Sequence, residues 1–263
     1  MAAVAGQPRT TARHACAQTG ARPAGSARTR QRAVNSDNAN SAFRALGAPR
    51  FKTVVLDVDS TVTTIEGIDW LAALRDEDVA RESELLTAQA MAGEIPIEAA
   101  YMRRLDRIKP AASELLMLAD AYQRSLVPGI PELIGVLQRA RVHVHLLSGG
   151  LRAAIVPMAL HLGVPADRVH AVSLSRDIDG RFSLLDGDQP LATQRGKPLV
   201  VQRLQLRKPI AMIGDGSTDA AVRGVVDAFF AFTAVARRES VVKVADAEAA
   251  SVDDLYPLLF EVP

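Results

Sequence analysis

The sequence has almost no cysteine, no long apolar run and no recognisable nucleotide-binding loop. Cys16 is the one cysteine among 263 residues, which excludes an internal disulfide and a thiolate metal cluster. No stretch of about eighteen apolar residues occurs, so the sequence predicts no membrane span. The pattern GxxxxGK[ST] is absent and no GxGxxG follows a predicted strand, which argues against a P-loop site and a dinucleotide cofactor.

The net positive charge of the chain is confined to the first fifty residues. Residues 1–50 contain eight arginines and one acid, Asp37, so the remaining chain has a formal net charge of −6. This acidity argues against nucleic acid as a partner. Residues 1–48 lack apolar periodicity and are predicted to be a disordered tail. The tail is interpreted as a transit peptide or as a nonfunctional extension, so we expect a cytoplasmic protein, or an organellar one in the first case.

Short apolar segments alternate with helical patterns along the rest of the chain. The predicted strands lie at 51–58, 142–148, 169–174, 209–214 and 227–232. This alternation predicts an α/β fold with a doubly wound, mainly parallel, Rossmann-like sheet.

Residues 66–124 have a helical pattern that Pro96 and Pro110 interrupt. This segment falls between the first two predicted strands. We therefore predict a helical cap inserted into a core of residues 49–65 and 125–263.

Carboxylates follow two of the predicted strands, at the edge where ligands bind in open α/β sheets. Asp57 and Asp59 lie on the same side of the chain, because strand residues i and i+2 share a face. Two charges about 4 Å apart repel by roughly 4 kcal/mol at an effective dielectric constant near 20, so the pair requires a cation or a shared proton. A helix N-cap would explain one aspartate, but not the pair together with Asp215. The oxygen ligands favour Mg²⁺ over Zn²⁺.

Two further segments indicate phosphate binding. Ser148, Gly149 and Gly150 follow the second strand and are expected to open a helix, where backbone N–H groups bind anions, although an ordinary glycine turn is the alternative. Lys197 stands at a predicted helix start, where the helix dipole favours acids over bases. A bound phosphate would resolve that conflict.

A charge tally indicates which aspartate holds a proton. Ionised Asp57, Asp215 and Asp219 with a phosphate dianion carry more negative charge than Mg²⁺ and Lys197 neutralise. The excess favours a protonated Asp59, which would be a general acid beside a nucleophile.

The ordered set DVDST (57–61), LLSGG (146–150), Lys197 and GDGSTD (214–219) resembles the motifs of the haloacid dehalogenase-like phosphatases. Within that superfamily, the chain from about Phe51 onward is most similar to the phosphoserine phosphatases. The resemblance implies Mg²⁺-dependent hydrolysis of O-phosphoserine, the last step of serine biosynthesis, through an aspartyl-phosphate. It also implies a small phosphomonoester as the partner and a monomer or homodimer.

The resemblance implies a role for each matching residue. Asp57 would be the nucleophile and Asp59 the general acid and base, with Mg²⁺ on Asp57, the backbone carbonyl of Asp59 and Asp215. The residues implied in phosphate binding are Ser148, Gly149 and Lys197. Those implied in substrate binding are Glu66, Met91, Gly93, Arg104 and Thr218. Those implied in supporting the site are Gly150, Asp219 and Arg238.

The cap segment leaves the substrate open. Glu66 suits the ammonium group of phosphoserine, and Arg104 suits its carboxylate, whereas a solvated helix face is the alternative for both. Ile97 stands where the family usually has a phenylalanine, so another small phosphomonoester is the alternative substrate. The same motifs would also serve phosphoryl transfer to an acceptor alcohol, or phosphate binding without turnover. We further expect the hydroxyls of Ser60 and Thr61 to bond the local backbone.

Overall fold

Eight strands lie in the part of the chain that the computed structural model describes, which comprises residues 46–91, 94–176, 182–185 and 187–262. The strands are β1 (Thr53–Leu56), β2 (His143–Leu151), β3 (Val169–Val172), β4 (Leu174–Arg176), β5 (Phe182–Leu185), β6 (Ile210–Gly214), β7 (Ala228–Phe232) and β8 (Ala247–Ala249). Six of them form a parallel sheet in the order β3-β2-β1-β6-β7-β8, and β4 and β5 pair as a separate antiparallel sheet. The mainly parallel α/β sheet that the sequence predicts is therefore confirmed.

Helices connect these strands. In the same described residues they are α1 (Gly67–Ala72), α2 (Glu77–Met91), α3 (Ile97–Ile108), α4 (Ala112–Arg124), α5 (Ile130–Arg139), α6 (Arg152–His161), α7 (Gly196–Leu204), α8 (Ser217–Ala220), α9 (Glu239–Val242) and α10 (Leu255–Leu259). None of the helices described is both long and apolar enough to cross a membrane.

The central strand β1 is buried on both faces. Val54 and Leu56 pack into one apolar cluster, and Val55 packs into a second cluster on the opposite side of the sheet. This alternation follows from the two-residue period of a strand. In the parallel register, Leu56 lies beside Leu146 of β2 and Ile213 of β6, so the segments that follow these three strands meet at one edge.

Prolines separate the helices between β1 and β2. Pro96 precedes α3, and Lys109, with a φ of 42°, ends it just before Pro110. Helices α1, α2 and α3 pack against one another, and α4 packs against both α6 and α1. The cap limits of 66–124 stay a prediction, and residues 1–45 of the predicted tail lie outside the described residues.

Several sequence expectations differ from the structure. Strand β1 is shorter than the predicted 51–58, and the predicted strand 169–174 is divided between β3 and β4. The Asp-Gly pair at 179–180 lies outside the described residues. Strand β8 was missed, because three residues with the sequence AEA carry no apolar pattern.

The prediction that Ser148, Gly149 and Gly150 follow the second strand and open a helix is wrong, and so is the alternative of a glycine turn, because the next helix begins at Arg152. Gly149 and Gly150 belong to β2, which runs to Leu151 with an irregular register to β3. A Cβ on Gly150 would lie 3.1 Å from Asp59 Oδ2. Glycine therefore allows this strand end to pass close to the carboxylate pair.

Candidate active site

A cavity of about 200 Å³ lies at the edge where β1, β2 and β6 end. Its lining joins residues that follow these strands with residues of the helices inserted after β1. The lining residues are Asp57, Asp59, Glu66, Ile68, Ile97, Tyr101, Arg104, Gly149, Leu191, Thr193, Lys197, Asp215, Gly216, Ser217, Thr218, Asp219 and Arg238. Several site residues predicted from sequence thus face one cavity: Asp57, Asp59, Glu66, Arg104, Gly149, Lys197, Asp215, Thr218, Asp219 and Arg238.

Three aspartates form a buried cluster at the base of the site. Carboxylate oxygens of Asp57, Asp215 and Asp219 lie within 4.8 Å of one another, and the three residues are 1–7 % exposed. Oxygens in an octahedral Mg²⁺ shell are about 3–4 Å apart, so the cluster fits a hard divalent cation. The sequence implied the Asp59 carbonyl as a ligand, whereas the structure places Asp219 with the other two carboxylates.

Lys197 lies among these carboxylates. Its Nζ donates to Asp57 Oδ1 at 2.6 Å and to Asp219 Oδ1. Burial by itself lowers the pKa of Lys197, but the charges of Asp219 and Asp57 outweigh it and hold that pKa above its ordinary value. The lysine therefore stays charged and aligned with Asp57.

Asp219 is fixed by a close approach of the backbone. A Cβ on Gly214 would lie 2.4 Å from Asp219 Cγ, so glycine is required there. The N–H of Gly216 donates to Asp219 Oδ2 at 2.9 Å. Burial raises the pKa of Asp219 to about 7, the charge of Asp57 adds to the rise, and Lys197 opposes it.

Asp59 has a different environment from Asp57. Its Oδ1 accepts hydrogen bonds from the Tyr122 hydroxyl at 2.7 Å and from Gly67 N–H at 3.1 Å. Burial raises the pKa of Asp59 to about 8, and the charges of Glu66 and Asp57 add to the rise. A carboxyl group in this setting holds its proton at neutral pH, as a general acid must.

The predicted phosphate-binding segment, Ser148 to Gly150 in the last part of β2, lies beside the carboxylates. Ser148 Oγ accepts a hydrogen bond from Gly150 N–H at 2.9 Å, which leaves the hydroxyl proton available to another acceptor. Gly149 lines the cavity, and its carbonyl accepts a 2.7 Å hydrogen bond from the hydroxyl of Tyr101 on α3. This contact ties the inserted helices to the end of β2.

The inserted helices bring a carboxylate and a guanidinium to the same cavity. Glu66 Oε1 accepts a 2.6 Å hydrogen bond from Ser60 Oγ, and burial raises the pKa of Glu66. Arg104 donates from Nε to Ser83 Oγ at 2.9 Å and from Nη2 to Asp69. Among the residues described, no bond of its Nη1 is recorded, so that nitrogen can donate to a ligand.

Other predicted residues have varied positions. Arg238 precedes α9 and contacts the carboxylate of Asp215, and it also donates to the Asp215 carbonyl at 3.2 Å. Met91 ends α2, but its side chain and the whole of Gly93 lie outside the described residues.

The expectation that Ser60 and Thr61 bond local backbone is wrong. Their hydroxyls donate to Glu66 and, at 3.1 Å, to Asp215 Oδ1. Because β1 and β6 are neighbours, the Asp215 carboxylate comes within reach of the Thr61 hydroxyl.

Two tyrosines of the site were not found by sequence reasoning. Tyr101 has a weak signal, because it stands three residues before Arg104 on one helix and so shares a face with it. Tyr122 has none, since 63 residues separate it from Asp59. Only the packing of α4 beside the end of β1 brings that pair together.

Comparisons with known proteins agree with this geometry. Residues 51–222 match the family model of haloacid dehalogenase-like hydrolases. A chloroplastic phosphoserine phosphatase of Arabidopsis thaliana is 38% identical over 200 residues, covering 74% of this chain and 67% of the relative. Human phosphoserine phosphatase is 38% identical over 192 residues, covering 72% and 84%. A phosphoserine phosphohydrolase-like protein of Francisella tularensis has a TM-score of 0.71 at 25% identity, over 79% of this chain and 99% of its own.

Proposed function

The chain belongs to the haloacid dehalogenase-like hydrolases and is a phosphoric monoester hydrolase, and we propose that it hydrolyses O-phosphoserine to serine and phosphate. One observation carries the choice of substrate. Glu66 and Arg104 line the same cavity as the carboxylates Asp57 and Asp59. Glu66 offers a negative charge to an ammonium group, Arg104 a positive charge to a carboxylate, and Lys197 a positive charge to a phosphate. Phosphoserine carries all three of these groups.

We assign the nucleophilic role to Asp57. Lys197 holds Asp57 Oδ1 at 2.6 Å, which leaves the other carboxylate oxygen to attack phosphorus. That oxygen forms a bond to phosphorus while the bond from phosphorus to the serine oxygen breaks. Asp59 gives its proton to the departing serine oxygen, so serine leaves as a neutral alcohol.

The second half of the reaction uses the same two aspartates. Asp59, now ionised, takes a proton from a water molecule as the water oxygen attacks phosphorus. The bond from phosphorus to Asp57 breaks, inorganic phosphate leaves and Asp59 regains its proton. Ser148, Gly149 N–H and Lys197 are the donors we assign to the phosphoryl oxygens.

We propose Mg²⁺ as the cofactor, held by Asp57, Asp215 and the backbone carbonyl of Asp59, while Asp219 stays paired with Lys197. When bound, it would supply positive charge that draws the phosphoryl group towards the carboxylates and offsets charge on its oxygens. The buried acidic cluster supports a hard cation at this place. Phosphate release measured in EDTA and after addition of Mg²⁺, Mn²⁺ or Ca²⁺ tests the identity of the ion.

A substrate panel tests the proposed specificity. We expect phosphoserine to be hydrolysed with a higher kcat/KM than phosphoethanolamine, which lacks the carboxylate, and glycerol phosphate, which lacks the carboxylate and the amine. Replacing Arg104 by Met should raise KM for phosphoserine by roughly ten- to a hundredfold, as expected for a lost charged hydrogen bond. Arg103→Met is the matched control, because its side chain is 59% exposed and contacts Glu82. Equal turnover of all three esters by the wild type would refute the proposal.

Another small phosphomonoester is the second candidate. Ile97 lines the cavity, and Arg104 already contacts Asp69 and Ser83. Both observations favour a substrate that needs fewer contacts with the inserted helices. The same panel decides between the two candidates, and phosphate release in water without an acceptor alcohol tests hydrolysis against phosphoryl transfer.

Location stays a prediction. Residues 1–48 are proposed to be either a transit peptide or a nonfunctional extension, and a chloroplastic protein is among the relatives. Fusing these residues to a fluorescent protein and observing its distribution in cells distinguishes the two.

A further inference from the structure

We propose that Tyr122 is a positioning residue for Asp59, which fixes the carboxyl group so that Oδ2 faces the reacting ester. The inference rests on the acid and base role assigned to Asp59. Neither the sequence motifs nor the cavity lining includes Tyr122, which reaches Asp59 from the buried side of the site.

The two hydrogen bonds at Asp59 fall on one oxygen. Tyr122 hydroxyl and Gly67 N–H both donate to Oδ1, at 2.7 and 3.1 Å. Within the described residues, no hydrogen bond is recorded at Oδ2. Because Oδ1 already accepts two hydrogen bonds, a carboxyl proton on Oδ1 would displace one of them. The proton that Asp59 transfers therefore lies on Oδ2.

The Tyr122 hydroxyl acts as a hydrogen-bond donor to Asp59. A phenol hydroxyl is protonated at neutral pH, and this one lies 2.7 Å from Asp59 Oδ1. Its side chain is fully buried in the main apolar cluster, and its hydroxyl forms a hydrogen bond with Asp59. A buried hydroxyl without a partner is costly, so this contact restrains both side chains.

The Tyr122 hydroxyl fits beside the backbone of Gly67 because that residue has no side chain. A Cβ built on Gly67 would lie 2.0 Å from the Tyr122 hydroxyl oxygen. Gly67 therefore contributes twice, by its N–H and by the absence of a side chain. Any larger residue would push the hydroxyl away from Asp59.

Tyr122→Phe tests the proposal, because it keeps the ring and removes the hydroxyl alone. The readout is kcat/KM for two aryl esters whose leaving groups differ in their need for a proton. Phenyl phosphate releases a basic phenolate that requires the acid, whereas p-nitrophenyl phosphate releases a stable anion. We expect a roughly tenfold loss with phenyl phosphate, part of the 10²–10⁴ that general acid catalysis contributes, and less than about threefold with p-nitrophenyl phosphate.

Two control substitutions separate positioning from packing. Tyr101→Phe removes a comparable buried hydrogen bond, the one to Gly149, and should leave the ratio of the two esters unchanged. In an Asp59→Asn background, Tyr122→Phe should change the phenyl phosphate rate less than about twofold, because the group it positions is gone. Equal losses with both esters, or full additivity with Asp59→Asn, would overturn the proposal.

A second variant guards against a folding defect. If thermal unfolding shows that Tyr122→Phe is not folded, Gly67→Ala displaces the hydroxyl while keeping the tyrosine. It should give the same selective loss with phenyl phosphate, and an unchanged ratio would refute the inference. Neither ester carries an amine or a carboxylate, so the outcome does not depend on phosphoserine being the substrate.

Discussion

Replacing Lys197 by Met removes the cation that lies between two buried carboxylates. Methionine is apolar and has nearly the same length, so the helix start at Gly196 and the surrounding packing are retained. Asp57 and Asp219 would then face each other without the lysine charge that now contacts both. The structure therefore predicts a loss of stability as well as of activity.

The size of the loss follows from the distance between the carboxylates. Their oxygens lie within 4.8 Å, and two unit charges at that separation repel by about 3.5 kcal/mol at an effective dielectric constant near 20. Breaking a buried ion pair by removing one partner typically costs about 3–5 kcal/mol, which is the same range. We expect the free energy of unfolding to fall by about 3–4 kcal/mol at pH 8.

The loss should shrink at lower pH. The pKa of Asp219 is already raised to about 7 with the lysine present, and removing the lysine raises it further. An acid whose folded pKa is raised destabilises the fold as pH rises from its unfolded to its folded pKa. At pH 5 the variant can protonate one carboxyl at a cost of about 1.5 kcal/mol relative to the unfolded chain, so its deficit should not exceed that amount.

Urea unfolding followed by circular dichroism at pH 5 and pH 8, in EDTA, measures both values. Lys243→Met is the matched control, since that lysine is exposed and its loss should change stability by less than about 0.5 kcal/mol. Adding Mg²⁺ should restore part of the stability at pH 8, because a cation that binds the folded state stabilises it. A deficit below about 1 kcal/mol at pH 8, or a larger deficit at pH 5, would refute the reasoning.

Three other substitutions have clear expected outcomes. Gly214→Ala would bring a Cβ to 2.4 Å from Asp219 Cγ and should lower stability by about 1–3 kcal/mol, measured by thermal unfolding; an unchanged midpoint would contradict the required glycine. Thr61→Val removes the hydroxyl bonded to Asp215 and should weaken Mg²⁺ activation roughly tenfold without unfolding the protein, measured by metal titration of phosphate release; unchanged affinity would exclude an orienting role. Tyr101→Phe removes the hydrogen bond to the end of β2 and should raise KM severalfold while kcat stays near wild type. A lower kcat with constant KM would contradict a role of Tyr101 in holding the helices over the cavity.

Much of the fold was predictable because its signals are local. The apolar runs that became β1 and β6 are buried on both faces, and such continuous runs are typical of parallel strands. Pro96 and Pro110 restrict the backbone on their own, so they predicted breaks between helices. Strand β8 was not predicted from sequence, because the formation of a three-residue edge strand depends on its neighbour β7 rather than on its own composition.

The carboxylates of the site were predictable for a related reason. In a parallel sheet the carboxyl ends of neighbouring strands meet at one edge, so Asp57 and Asp215 had to converge once the strands were placed. The lysine at a helix start was a visible conflict with the helix dipole, and Lys197 lies between carboxylates. From sequence, a bound phosphate was expected to supply the compensating negative charge, whereas in the structure Asp57 and Asp219 supply it.

Local patterns in the chain were sufficient to predict the order of most elements and the convergence of the acidic residues, because both depend on neighbours in the chain or on regular sheet geometry. The different environments of Asp59 and Asp57 depend on packing between distant parts of the chain. The pKa of Asp59 rises through burial, and its carboxyl is held by Tyr122, which lies 63 residues further along the chain. Burial and contacts between distant side chains arise from packing, and no local pattern encodes them.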